Sequence, residues 1–182
     1  MKILYISGSP RKGGNSEYLL NLLSDSLKGE LVRLSDYKIE PCKSCWACIK
    51  TEKCVINDDM TNKIIPVLLD ADVIVLGSPV YFNNVSAQLK AFMDRTWCIK
   101  GRMRNKIGGA VVVGSHDGAQ SAVDAINSFF LKHEMIPANR GVCGIAFEKG
   151  EIKQDAEAIA ATGRLAERIS GLWKLTRASD VR

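Results

Sequence analysis

The stretch Lys2-Ile3-Leu4-Tyr5-Ile6-Ser7-Gly8-Ser9-Pro10-Arg11-Lys12-Gly13-Gly14-Asn15-Ser16 decides the fold. From Lys2 to Gly8 it is nearly all apolar, which fits a strand buried on both faces, as in a parallel sheet. Glycines, hydroxyls and cations follow. Asn15 or Ser16 can then cap a helix whose apolar residues are Leu19, Leu20, Leu22, Leu23 and Leu27. The apolar start is too short for a signal peptide and has no small-residue cleavage site after it. A first strand and a cytoplasmic location are therefore expected.

The same unit recurs along the chain. Apolar runs stand at Val73–Leu76, Ile107–Val113 and Val142–Phe147, with a less apolar, edge-like strand at Leu31–Leu34. Between them lie helical patterns. One starts at Asp58 or Asp59 and carries Ile64, Ile65, Val67 and Leu68, with Pro66 kinking it or marking its first turn. Others cover Ser86–Cys98, Ala119–His133 and about Gln154–Lys174, the last with Leu165, Ile169 and Leu172 on one face. Alternating strands and helices predict a doubly wound, five-stranded parallel sheet in three α/β/α layers, as one domain over 1–182. One irregular piece is long, residues 35–57, and loops of that length in a compact domain are usually functional.

The 182 residues are 46% hydrophobic and 25% charged, a globular balance. No apolar run approaches the roughly 18 residues that span a bilayer, so no membrane is expected. The net charge is +5, with the densest basic run at Lys100–Lys106. That run reads either as a solvated loop or as attraction for an anionic, phosphorylated partner. Without interleaved aromatics or a recognition motif, nucleic acid is not expected.

Ligands of open parallel sheets bind beyond the carboxyl ends of the strands. Three segments fall there: Gly8–Ser16, Gly77–Asn84 and Gly114–Gly118. The first suits phosphate, with hydroxyls, cations, glycines and a helix N-terminus. It is not a nucleoside-triphosphate loop, because Gly14 stands where the lysine should be. It is not a dinucleotide fingerprint either, because Pro10 replaces the second glycine. A mononucleotide such as FMN remains. Tyr81 and Phe82 offer flat apolar surface to a flavin, or are ordinary core residues. His116 is either a flavin neighbour or a solvated loop histidine.

Gly8-Ser9-Pro10-Arg11-x-x-x-Asn15-Ser16, together with Ser78-Pro79-Val80-Tyr81-x-x-x-Val85-Ser86-Ala87-Gln88-Leu89-Lys90-x-Phe92-x-Asp94-Arg95, resembles the NADPH-dependent FMN reductase family. The resemblance runs from Met1 to about Lys174 and implies a flavodoxin-like fold. It implies that Ser9, Arg11, Asn15 and Ser16 hold the FMN phosphate, with Lys12 and Gly14 also among the cofactor-binding residues. Pro79, Val80, Tyr81, Phe82 and Asn83 would line the ring edge, with Ser115, His116, Asp117 and Gly118 approaching from the other side. The flavin carries the redox chemistry, so no catalytic side chain is expected.

Four of the six cysteines crowd the long loop as Cys42, Cys45, Cys48 and Cys54, spaced C-x2-C-x2-C-x5-C. In a cytoplasmic protein such crowding points to a metal or redox site. Successive x2 gaps fit a 4Fe–4S cluster; zinc and free redox thiols stay open. The spacing resembles the iron–sulfur flavoproteins of the same family, which implies a homodimer or homotetramer passing electrons between FMN and cluster. Trp46 could shield a cluster or anchor an interface. Cys98 and Cys143 read as small buried hydrophobes.

Three functions follow as expectations. The first is an FMN and 4Fe–4S electron-transfer oxidoreductase serving a small-molecule or protein partner such as ferredoxin. The second is a cluster-free NAD(P)H-dependent FMN or quinone reductase. The third is a non-enzymatic interaction or sensor module with zinc or redox thiols.

Overall fold

A computed structural model describes residues 1–178. The strands are β1 (Ile3–Ser7), β2 (Glu30–Arg33), β3 (Val73–Tyr81), β4 (Asn84–Val85), β5 (Ile107–Gly114), β6 (Ile136–Pro137) and β7 (Val142–Ile145). The helices are α1 (Asn15–Ser26), α2 (Cys48–Thr51), α3 (Ile65–Asp70), α4 (Ala87–Arg95), α5 (Ala119–Lys132) and α6 (Ala156–Ala178). The sheet order is β2-β1-β3-β5-β6, with β7 also paired to β5 and β4 paired to β3. All pairs are parallel except the β3–β4 hairpin.

Side chains alternate across the sheet and build two cores. Ile3, Tyr5, Val73 and Val75 face α1 and α6, meeting Leu19, Leu20, Leu165 and Ile169. Leu4, Ile6, Ile74 and Leu76 face α3, α4 and α5, meeting Leu68, Leu89, Phe92 and Ile126. Every β1 residue is buried, which is why its run carries no polar alternation. No described helix is long and apolar enough to cross a membrane.

The expected five strands become five positions with a divided last one. β6 and β7 both pair with β5, and the chain loops out between them. The Ile136 and Ala138 N–H groups donate to Lys106 O and Gly108 O, so the N–H that Pro137 lacks lies on the side away from β5; pairing stops in the turn that follows, where the N–H of Gly141, at φ +114°, donates to Asn139 Oδ1. The expected edge strand is found at β2. Cys143 is a correction: it is exposed, because β7 turns Val142 and Gly144 inward and Cys143 and Ile145 outward. Pro66 sits in the first turn of α3, behind a π-helical turn at Met60–Ile64. The basic run is a tight turn: Met103 is fully buried, Arg104 pairs with Glu134, and Lys106 Nζ donates to the terminal carbonyls Leu69 O and Ala71 O of α3.

Candidate functional site

The carboxyl ends of the parallel strands open onto a cavity of about 310 Å3. Ser9, Arg11, Gly14, Asn15 and Ser16 line it from the first loop, Pro79, Val80 and Tyr81 from the second, and Ser115 from the third. Lys12, Phe82, Asn83, His116, Asp117 and Gly118 lie outside this lining.

Hydrogen bonds lock the first two loops together. Ser9 Oγ accepts from the Arg11 N–H at 3.1 Å and curls the loop. The Gly8 N–H donates to Gly77 O at 2.8 Å. Ser86 Oγ donates to Gly8 O at 2.6 Å and accepts from the Leu89 N–H at 3.2 Å, capping α4. The Ser86 N–H in turn donates to Ser78 Oγ at 2.9 Å. Gly8 is required by this closeness: a Cβ there would stand 2.7 Å from Leu89 Cβ.

The cap of α1 differs from expectation. Gly14 occupies the cap position, and no side chain bonds the first-turn N–H groups. Asn15 uses its amide elsewhere: Nδ2 donates to Glu148 O at 2.8 Å, and Oδ1 accepts from the Gly150 N–H at 2.7 Å. Those N–H groups remain available to an anion at the positive end of α1.

A fourth loop was missed by sequence reasoning. Ala146, Phe147 and Lys149 line the same cavity, and Lys149 Nζ reaches Lys12 O at 3.2 Å. The signal existed: the run Val142–Phe147 is a parallel strand, so the loop after it opens at the same end.

Tyr81 and Asn84 pair across a two-residue turn whose residues, Phe82 and Asn83, hold φ +49° and +57°. Phe82 is wholly in solvent and Tyr81 is 44% exposed, so neither is an ordinary core residue. His116 and Asp117 are also exposed.

The four clustered cysteines line a second, larger cavity of about 650 Å3, with Trp46, Trp97, Arg95, Cys98 and His133. Ser44, Trp46 and Glu52 all hold left-handed backbone, at φ 50°, 59° and 52°. Such backbone costs roughly 1–3 kcal/mol per residue and clusters at binding sites. Burial pushes the Cys48 thiol up, and the neighbouring Cys54, Cys45 and Cys42 push it further. Cys48 thus feels the other three sulfurs across the cavity, although among the described residues no three His, Cys, Asp or Glu side chains gather tightly enough for a metal ion. Trp46 is 57% exposed and packs edge-on to Trp97 at 6.1 Å. Cys98 is buried, as expected, and burial raises its thiol too.

Arg95 and Asp58 hold this loop to α4 with a buried bidentate pair at 2.6 and 2.9 Å. Burial works against the Asp58 carboxylate, but Arg95 and the backbone N–H groups of Glu40 and Thr61 outweigh it and hold the group down at about 2. His133 is 4% exposed. Thr96 Oγ1 donates its one hydrogen to Met93 O, so it accepts from His133 Nε2–H at 2.8 Å. Burial, then Lys100, pushes His133 down to about 4 and keeps it neutral.

The sequence model of the family described as NADPH-dependent FMN reductase matches residues 1–150. An iron–sulfur flavoprotein of Methanocaldococcus jannaschii is 36% identical, aligned over 97% of this chain and 100% of its own. An iron–sulfur flavoprotein of Methanosarcina thermophila is 33% identical over 96% of each. The fold is flavodoxin-like: a flavodoxin from the domain Archaea superposes with a TM-score of 0.63 at 16% identity, covering 94% of this chain and 99% of that one.

Proposed function

Because the chain belongs to the NADPH-dependent FMN reductase family, we propose that it is the iron–sulfur form of that family's FMN-binding oxidoreductase. In this form Cys42, Cys45, Cys48 and Cys54 hold a 4Fe–4S cluster. Flavin-dependent oxidoreduction itself is the family's chemistry. FMN exchanges two electrons, or a hydride, and a cluster exchanges one at a time.

The observation carrying the finer reading is the shared cavity of the four thiols. Its chemistry fits iron: four soft sulfur donors face one cavity, and a bound metal would take them as thiolates. The two iron–sulfur relatives support it by name.

At the flavin site the chain's own residues bind and orient. The free N–H groups of α1, Ser9, Arg11 and Ser16 take the phosphate. Pro79 to Tyr81 border the ring, and Ser115 and Phe147 close the sides. A second copy of the chain covers the mouth, which Tyr81, Phe82, Ile145 and Phe147 leave as exposed apolar surface; sedimentation of the FMN-loaded protein should give a dimer or tetramer, and a monomer refutes this. The electron donor is NAD(P)H or a ferredoxin-like protein.

Iron, acid-labile sulfide and FMN quantified on one anaerobic sample test the reading. A brown protein with iron, sulfide and FMN supports it. A yellow protein with FMN and no iron leaves the cluster-free NAD(P)H-dependent reductase instead.

A further inference from the structure

Arg95 is the buried cation of the cysteine cavity, 1% exposed, at the last residue of α4. Its two terminal nitrogens are fully engaged. Nη1 donates to Asp58 Oδ2 at 2.6 Å and Glu40 O at 2.7 Å. Nη2 donates to Asp58 Oδ1 and Thr61 Oγ1, both at 2.9 Å, and to Ile56 O at 3.3 Å. A guanidinium has five N–H donors, and four sit on those two nitrogens. The fifth, on Nε, is buried and makes no hydrogen bond. Among the described residues only Glu17 Oε2 and His133 Nδ1 share that condition.

A buried N–H without a partner destabilises the fold, because it has given up water and gained nothing in return. Here it occurs on a side chain that is otherwise held at every donor, in the wall of a cavity lined by four thiols. Rotating Arg95 to relieve Nε would break the Asp58 pair, so the relief has to come from the cavity side. Cys54 is the thiol whose sulfur interacts electrostatically with the guanidinium. In the protonated state that sulfur is a weak acceptor; as a thiolate it is a strong one.

We propose that Arg95 is a positioning residue for Cys54: its Nε–H donates to the Cys54 sulfur when that sulfur ligates iron. The inference rests on the iron–sulfur reading above. Asp58 fixes the guanidinium and balances its charge, so the device delivers one oriented donor rather than a loose cation. Hydrogen bonds to ligand sulfur are one of the levers that set a cluster's potential. A donor on one of four sulfurs withdraws electron density there and favours the reduced state. It also links the cluster loop, through α4, to Ser86 and Gly8 at the flavin loops.

The test uses the full chain, reconstituted anaerobically with iron and sulfide and carrying 15N only in arginine. Iron and sulfide are measured first. The reduced protein is then examined by pulsed EPR, and its midpoint potential is titrated. The expected result is a 15N coupling to the cluster in the wild type. Asp58→Asn, which leaves Nε in place, retains it; Arg95→Lys loses it and shifts the midpoint to lower potential. A loaded cluster with no arginine coupling overturns the proposal, as does an unchanged midpoint in Arg95→Lys. Should that variant fail to fold, the wild-type spectrum decides alone. A wild type that binds no iron overturns the underlying reading and this one with it, and the metal assay distinguishes that outcome.

Discussion

Phe82 stands with φ +49° in the β3–β4 turn and its ring in solvent. A left-handed turn of this kind favours Asn-Gly, and a phenylalanine there stores strain of roughly 1 kcal/mol or more. Nothing in its packing repays that, and under the proposed function the flavin would. Phe82→Gly is expected to leave the melting temperature of the apo chain unchanged or slightly higher while weakening FMN several-fold; fluorescence quenching of FMN on titration measures it, and unaltered affinity counts against Phe82 as a flavin neighbour. Gly8 makes the opposite case. Gly8→Ala drives a methyl into Leu89, an overpacking that costs about 1–3 kcal/mol and shifts the loop proposed to hold the phosphate. Denaturant unfolding should show the loss, with FMN affinity falling in parallel. Both residues were legible as members of a loop; that one is strained and the other crowded depends on α4 and β4, which are distant or irregular in sequence.

At the scale of elements, α4 is a strut between two sites. Its cap, Ser86, bonds the loops at the strand ends, and its last residue, Arg95, bonds the cysteine loop. The span Ser86–Cys98 was visible because its apolar residues keep helical spacing and a serine precedes them. What it connects was not, because Asp58 and Arg95 are 37 residues apart. The loop after β7 is a second such case. Asn15 reads as a helix cap or phosphate ligand, yet its amide pins Glu148 and Gly150. Asn15→Ala removes both bonds, so a destabilisation of about 1 kcal/mol is expected, kept modest because Glu148 is exposed and water can replace the lost partner. Hydrogen exchange should rise at residues 146–150 before it rises in β1. Equal protection in both proteins would mean the loop holds itself.

For the molecule as a whole, two buried groups set its acid stability. His133 is held near 4 against an ordinary 6.5, so the native state refuses a proton that the unfolded chain accepts. Stability therefore falls as pH drops from 6.5 toward 4, by about 3 kcal/mol at the full shift. Asp58 is held near 2 against 3.8, so its contribution is present above 3.8 and is lost as pH falls toward 2, about 2 kcal/mol more. Urea unfolding at pH 7, 5 and 4 should show the first loss in the wild type and not in His133→Phe. A wild-type curve flat over that range would mean the imidazole is not neutral in the folded protein.

From the sequence alone come the alternation of buried strands and helices, the two strand-end loops that exclude triphosphate and dinucleotide patterns, and the crowding of four cysteines. Each is a local property, carried by periodicity or spacing within a few residues. The tertiary structure decided the rest. It split the last sheet position at the turn through Asn139 and Gly141, turned Cys143 to solvent, and brought the loop at Phe147 and Lys149 to the cavity at the strand ends. It also set Arg95 against Asp58 at the wall of the cysteine cavity. Those features arise where segments far apart in the chain meet, and which of them meet is settled by the packing of helices on both faces of the sheet rather than by any residue's neighbours.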